Sequence, residues 1–86
     1  MGSYKIVVKA SAAGELERTP RKDLLRIVRR VTSLAEDPRP SGCEKLSALE
    51  RYRVRQGDYR IVYSVDDAAR TVVIFKIGHR KEIYRK

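Results

Sequence analysis

The segment YRVRQGDYRIVY, residues 52–63, sets Arg53, Arg55 and Arg60 on two strand-like runs. Downstream, Lys76 precedes IGHRKEIYRK, which supplies His79, Arg80 and Tyr84. Arginine stays protonated in proteins and presents a planar fork of donors, so this set suits anion binding and cannot itself accept a proton. His79, with an ordinary pKa of about 6.5, reads as a hydrogen-bonded structural residue with a reserve role as acid or base. Cys43 stands alone between Gly42 and Glu44 with no motif around it. It reads as a structural cysteine and not as a nucleophile paired with His79.

Gly57-Asp58 separates the two runs as a two-residue turn, with glycine where a type II′ turn needs it. Pairing outward from that turn sets Gln56 opposite Tyr59, Arg55 opposite Arg60, Val54 opposite Ile61, Arg53 opposite Val62 and Tyr52 opposite Tyr63. Opposed residues share a face, and faces alternate along a strand. Tyr52, Val54, Ile61, Tyr63 and Val65 then form a face for helices to cover, while Arg53, Arg55, Arg60, Val62 and Ser64 form an exposed one. Like charges directly opposed destabilise a sheet, so an anion that neutralises Arg55 and Arg60 is expected. Nearby acids such as Glu50 or Asp58 are the alternative counter-charges. With Val73, Phe75 and Ile77 in the core, Lys76 and Arg80 emerge among the arginines and His79 takes core parity.

Elements upstream must hold this hairpin. YKIVVK, residues 4–9, is a β-branched first strand. Ser11 is placed to cap a short helix carrying Leu16, with Glu15 near its start. Thr19-Pro20 begins a second helix as N-cap and first helical residue. Its apolar stripe is Leu24, Val28, Val31 and Ala35, widened by Ile27 and Leu34, and Asp37-Pro38 ends it. That makes about 17 residues, or roughly 25 Å. Residues 37–48 read as a connection. After the hairpin, DDAAR turns into TVVIFKI, and EIY is a short fourth extended piece. The order β-α-α-β-β-β(-β) predicts an α+β fold, two N-terminal helices packed on one face of an antiparallel sheet, with residues 1–86 as one domain.

Charge indicates the partner. The 86 residues carry 20 Lys and Arg against 11 Asp and Glu, a formal net charge of +9. So basic a small chain repels itself unless a polyanion is bound, with nucleic acid first and an acidic protein or membrane surface behind it. Arg21, Lys22, Arg26, Arg29 and Arg30 lie largely off the apolar stripe of the second helix, as a solvated face able to touch RNA phosphates. One Cys and one His exclude an intramolecular disulfide and a four-ligand zinc site, and a reducing cytoplasm fits. No cofactor is expected. The longest purely aliphatic and aromatic run, VVIF at 72–75, is too short to span a bilayer or serve as a secretory signal.

YRVR, GDYRIVY and GHRKEIYR, preceded by SLAEDPRPSGCEKLSAL, together resemble the RelE branch of the RelE/ParE toxin superfamily over residues 3–85. The resemblance implies a fold similar to microbial ribonucleases and a toxin neutralised by a co-expressed antitoxin. It further implies a ribosome-dependent endoribonuclease that cuts mRNA in the A site by attack of a ribose 2′-hydroxyl on the adjacent phosphate. By position it assigns Arg53 and Arg55 to flanking phosphates and Arg60 and Arg80 to the transition-state phosphate. Tyr84 is the general base or nucleophile-positioning group, with Lys76 and His79 as further RNA contacts. Some members carry lysines at the Arg53 and Arg55 positions, so any lysine-based proton transfer is absent here. An acidic, partly helical antitoxin segment, the ribosome and mRNA are the implied partners, with a toxin–antitoxin hetero-oligomer expected. The alternatives are a ParE-like DNA gyrase inhibitor and a non-catalytic member that binds only RNA or antitoxin.

Overall fold

The computed structural model describes residues 3–46 and 51–79. In chain order the elements are β1 (Lys5–Val8), α1 (Ala10–Glu17), α2 (Arg21–Ser33), β2 (Glu44–Leu46), β3 (Arg51–Gln56), β4 (Tyr59–Asp66) and β5 (Thr71–His79). The strands form one sheet in the order β1-β5-β4-β3-β2. The fold is α+β with both helices ahead of the main meander, as expected. The sheet, however, is mixed and not antiparallel, because β1 pairs parallel with β5. The chain leaves β1 through both helices and enters the sheet again at the far edge. Three antiparallel steps then bring β5 back beside β1, running in the same direction.

The hairpin register matches the expected pairs, from Gln56↔Tyr59 to Tyr52↔Tyr63. Gly57 takes φ +61 while Asp58 stays out of the left-handed region, the pattern of a type II′ turn. On β5 the expected parity fails. A register shift opposite Val62/Tyr63 pairs Val62 with Lys76 but Tyr63 with Ile74, leaving Phe75 as the extra residue. Val72 and Ile74 therefore lie in the core in place of Val73 and Phe75, and Ile77 regains core parity beyond the bulge.

The core lies between this sheet face and the helices. Ile27 and Val31 of α2, Leu34 just past its end and Ala12 of α1 pack with Tyr52, Val54, Ile61, Tyr63, Val65, Val72, Ile74 and Ile77. Val28, expected in the apolar stripe, is 43% exposed, so the stripe centres on Ile27, Val31 and Leu34. α2 spans 13 residues and not about 17. Beyond Ser33 the amides of Leu34, Ala35 and Glu36 each bond three residues back, the tighter winding of a terminating turn. Neither expected cap forms. Lys9 and Pro20 occupy the cap positions without side-chain bonds, and Glu15 sits late in α1 beside Arg18. The Ser11 hydroxyl donates to the Phe75 carbonyl and that of Thr19 to the Glu15 carbonyl, so each serves a tertiary or closing contact. Residues 82–84, expected to extend the sheet, lie outside the described residues.

Candidate nucleic-acid interface

The sheet face turned away from the helices carries the charge in rows set by the register. One row runs Glu44, Arg53, Val62, Lys76 across β2 to β5, and the next runs Arg55, Arg60, Gly78. Arg53, Arg55, Arg60 and Lys76 are thus brought together as the alternation predicts. Arg60, expected exposed, is only 4% exposed. It sits on the central strand, directly across from Arg55 on one side and Gly78 on the other. Arg55 is exposed and Arg53 half-buried.

Sequence reasoning missed the counter-charge. Among the described residues it is Glu44; Glu50 lies outside them. Arg53 donates to Glu44 Oε1 from Nε at 3.0 Å and also from its terminal nitrogen. That hydrogen bond and then the Arg53 charge hold the Glu44 carboxyl below its ordinary range against desolvation, with smaller help from the charges of Arg55 and Arg60. One carboxylate therefore senses all three guanidinium groups. A three-residue edge strand inside a proline- and glycine-containing connection carries no periodic signal, which is why Glu44 was not placed opposite Arg53 from sequence.

The connection that delivers β2 is clamped from behind. The buried Tyr63 phenol, its pKa pushed up mainly by burial, donates to the Pro38 carbonyl at 2.6 Å. Arg39 donates to both oxygens of Asp67, at 3.2 and 2.9 Å, and through Nε to the Tyr52 hydroxyl at 3.0 Å. Tyr4 adds a 2.7 Å bond to the same carboxylate. The Asp67 carboxyl is held low first by Arg39 and then by Tyr4. These contacts join the start of the chain, the connection and the β4–β5 turn behind the site.

One row along, Arg51 lies over the Phe75 ring at 3.9 Å from its centroid, with Lys9 at 5.3 Å. The bulge residue thus forms an aromatic patch flanked by two cations, also unforeseen. His79 sits on the helix side, opposite Tyr59 and edge-on to its ring at 5.4 Å, and not among the arginines. Arg80 and Tyr84 lie outside the described residues. Cys43 packs partly against the core. Among the described residues no group of His, Cys, Asp and Glu could hold a metal ion, and no helix is long and apolar enough to cross a membrane.

Two helices against a mixed five-stranded sheet with a cationic outer face define a RelE-like toxin fold. The chain superposes on one from the toxin–antitoxin complex RelBE2 of Mycobacterium tuberculosis with a TM-score of 0.82 at 28% identity, covering 93% of this chain and 94% of the other. A profile described as the ParE toxin of the type II toxin–antitoxin system parDE matches residues 6–84. Toxin RelE of M. tuberculosis is 36% identical over 84 residues, 95% of this chain and 87% of its own length. Toxin RelG of the same organism is 31% identical over 85 residues, 96% of this chain and 98% of its own. The chain belongs to the RelE/ParE family of type II toxin–antitoxin toxins.

Proposed function

We propose that this toxin is a ribosome-dependent endoribonuclease that cuts mRNA in the A site. A ribose 2′-hydroxyl attacks the adjacent phosphate as its proton is withdrawn; the bond from phosphorus to the 5′-oxygen of the next nucleotide breaks, leaving a 2′,3′-cyclic phosphate and a 5′-hydroxyl that takes its proton from water. The observation that carries this reading is the grouping of Arg53, Arg55 and Arg60 around the Glu44 carboxylate. Phosphoryl transfer needs alignment and charge stabilisation more than covalent chemistry, and forked guanidinium donors supply both. Arg60 and Arg80 hold the reacting phosphate, Arg53 and Arg55 its neighbours, with Lys76 and His79 as outer RNA contacts and Tyr84 orienting the nucleophile.

Glu44 takes the proton in this scheme. In the free protein the arginines keep it ionised and weakly basic. When a phosphate draws off the charges of Arg55 and Arg60, the same carboxylate gains proton affinity as the 2′-hydroxyl arrives. Mapping mRNA 5′ ends on ribosomes incubated with the purified protein is the test. New ends in register with the codon are expected, with naked RNA cut poorly, because the ribosome supplies alignment that so open a face does not. Efficient cutting of a short free oligonucleotide rules this out.

The ParE profile match favours one other reading, inhibition of DNA gyrase. Double-strand DNA breaks with intact mRNA identify it in the same cells. The neutralising partner is an antitoxin with an acidic, partly helical segment that masks the basic surface of this toxin.

A further inference from the structure

A second group of arginines stands on the other side of the sheet. Arg26, Arg29, Arg30 and Ser33 occur at i, i+3, i+4 and i+7 of α2, one stripe of the helix. With Gln56 at the end of β3 they line an open cavity of about 400 Å³. Gln56 has the parity of Val54 and so faces the helix side, whereas its neighbour Arg55 faces the Glu44 cluster.

Elsewhere the arginines Arg18, Arg39 and Arg53 are matched to Glu15, Asp67 and Glu44. Arg26, Arg29 and Arg30 form no ion pair among the described residues, and Arg30 Nε is buried without a hydrogen-bond partner there. Three like charges on one stripe of helix repel one another, and a buried donor without an acceptor is destabilising. Both penalties are relieved by one kind of ligand, an anion in the cavity.

We propose that Arg26, Arg29 and Arg30 form a phosphate-binding site for an RNA backbone, separate from the Glu44-centred cluster. One guanidinium fork satisfies a planar carboxylate; several forks converging on one cavity suit the tetrahedral phosphate and its chain neighbours. The site flanks the β3–β4 hairpin end on the face opposite Arg55 and Arg60. An RNA strand passing that end meets cations on both faces, and this second grip orients the domain without touching the reacting phosphate. The site deepens the RNA-cutting reading above and rests on RNA being the partner.

The test is binding of a single-stranded RNA 12-mer to the full chain across a series of salt concentrations. Arg26 and Arg29 are exposed, so an Arg26→Gln/Arg29→Gln variant is expected to keep the wild-type urea midpoint. Each lost phosphate contact lowers the log–log salt slope by about 0.7 for single strands, so the slope should fall by about 1.4 and binding at 0.1 M salt by about 25-fold. Arg26→Lys/Arg29→Lys should retain the slope. Should the double variant unfold, Arg26→Gln alone is expected to remove about half of the slope change. An unchanged slope overturns the site. So does loss of polyglutamate binding in the variant with RNA binding intact, which marks an acidic-protein site instead. Codon-register cutting on ribosomes is scored separately. Cutting with an unchanged slope defeats only this site, and a changed slope without cutting defeats only the endoribonuclease reading.

Discussion

Arg60→Met separates the two demands placed on the buried arginine. Arg60 is 4% exposed and stands directly across from Arg55. Like charges directly opposed across a ladder destabilise it, on the scale of roughly 0.2–1 kcal/mol for a cross-strand pair. Attraction to the Glu44 carboxylate, which also senses Arg60, acts in the opposite sense. Methionine retains the length of the covered stem and removes the charge, and replacing a buried ion by a well-packed apolar side chain is often neutral or stabilising. Stability should therefore move by no more than about 1 kcal/mol either way, a melting shift within about 8 °C for a domain of this size. Cleavage should fall by about 10²–10³-fold, the usual cost of one transition-state donor. Single-turnover cutting of ribosome-bound mRNA, beside urea unfolding of the same sample, reads both. A folded variant that cuts within threefold of wild type refutes the phosphate role. A variant that fails to fold shows that the guanidinium is a structural pin.

Glu44→Gln should lower cleavage by about 10²–10⁴-fold while tightening RNA binding, because proton acceptor and competing anion are one group; fluorescence anisotropy beside single-turnover cleavage checks the opposite signs. Leu34→Ala, at the fully buried position that closes α2, should cost about 2–5 kcal/mol by urea unfolding, whereas Leu25→Ala at a 51% exposed position should stay within about 0.5 kcal/mol. Asp67 and Glu44 have folded-state pKa values below their unfolded ones, so the stability they contribute is present above the unfolded values of about 4 and is lost as pH falls through the folded ones. The urea midpoint should therefore drop below about pH 4, and Asp67→Asn should flatten that limb.

The parts legible in the sequence were those governed by short-range geometry. A two-residue turn admits one register, so the faces of β3 and β4, and the grouping of Arg53, Arg55 and Arg60, followed from Gly57-Asp58 alone. Parity carried along β5 failed because a bulge adds one residue without any marker in VVIFKI, moving Val73 and Phe75 out of the core. The parallel partner of β1 is chosen by closure of the whole sheet, which no local window contains. Helix ends misled for a related reason. Ser11 and Thr19 are good capping residues, but each hydroxyl found a carbonyl partner elsewhere. The hairpin register put Arg60 on the outer face, but its burial there is not a property of the hairpin alone.

A cluster of cations at the centre of a small sheet needs an anion in every state of the protein. Among the described residues that anion is Glu44, carried on the shortest strand, at the sheet edge, and gripped by Arg53. Few ladder bonds hold β2, so the grip of Arg53 and the clamp of Tyr63 and Arg39 behind it fix where the carboxylate stands. An arriving phosphate competes for the same guanidinium groups. In the proposed scheme, binding thus weakens the forces that kept Glu44 acidic at the moment a proton must be accepted. The stability problem posed by opposed arginines and the chemical problem of finding a base among groups that cannot accept protons meet in one residue. For that reason Glu44→Gln, which keeps the shape and removes the charge, is expected to strengthen binding and weaken cutting together, an outcome that a purely structural ion pair does not produce.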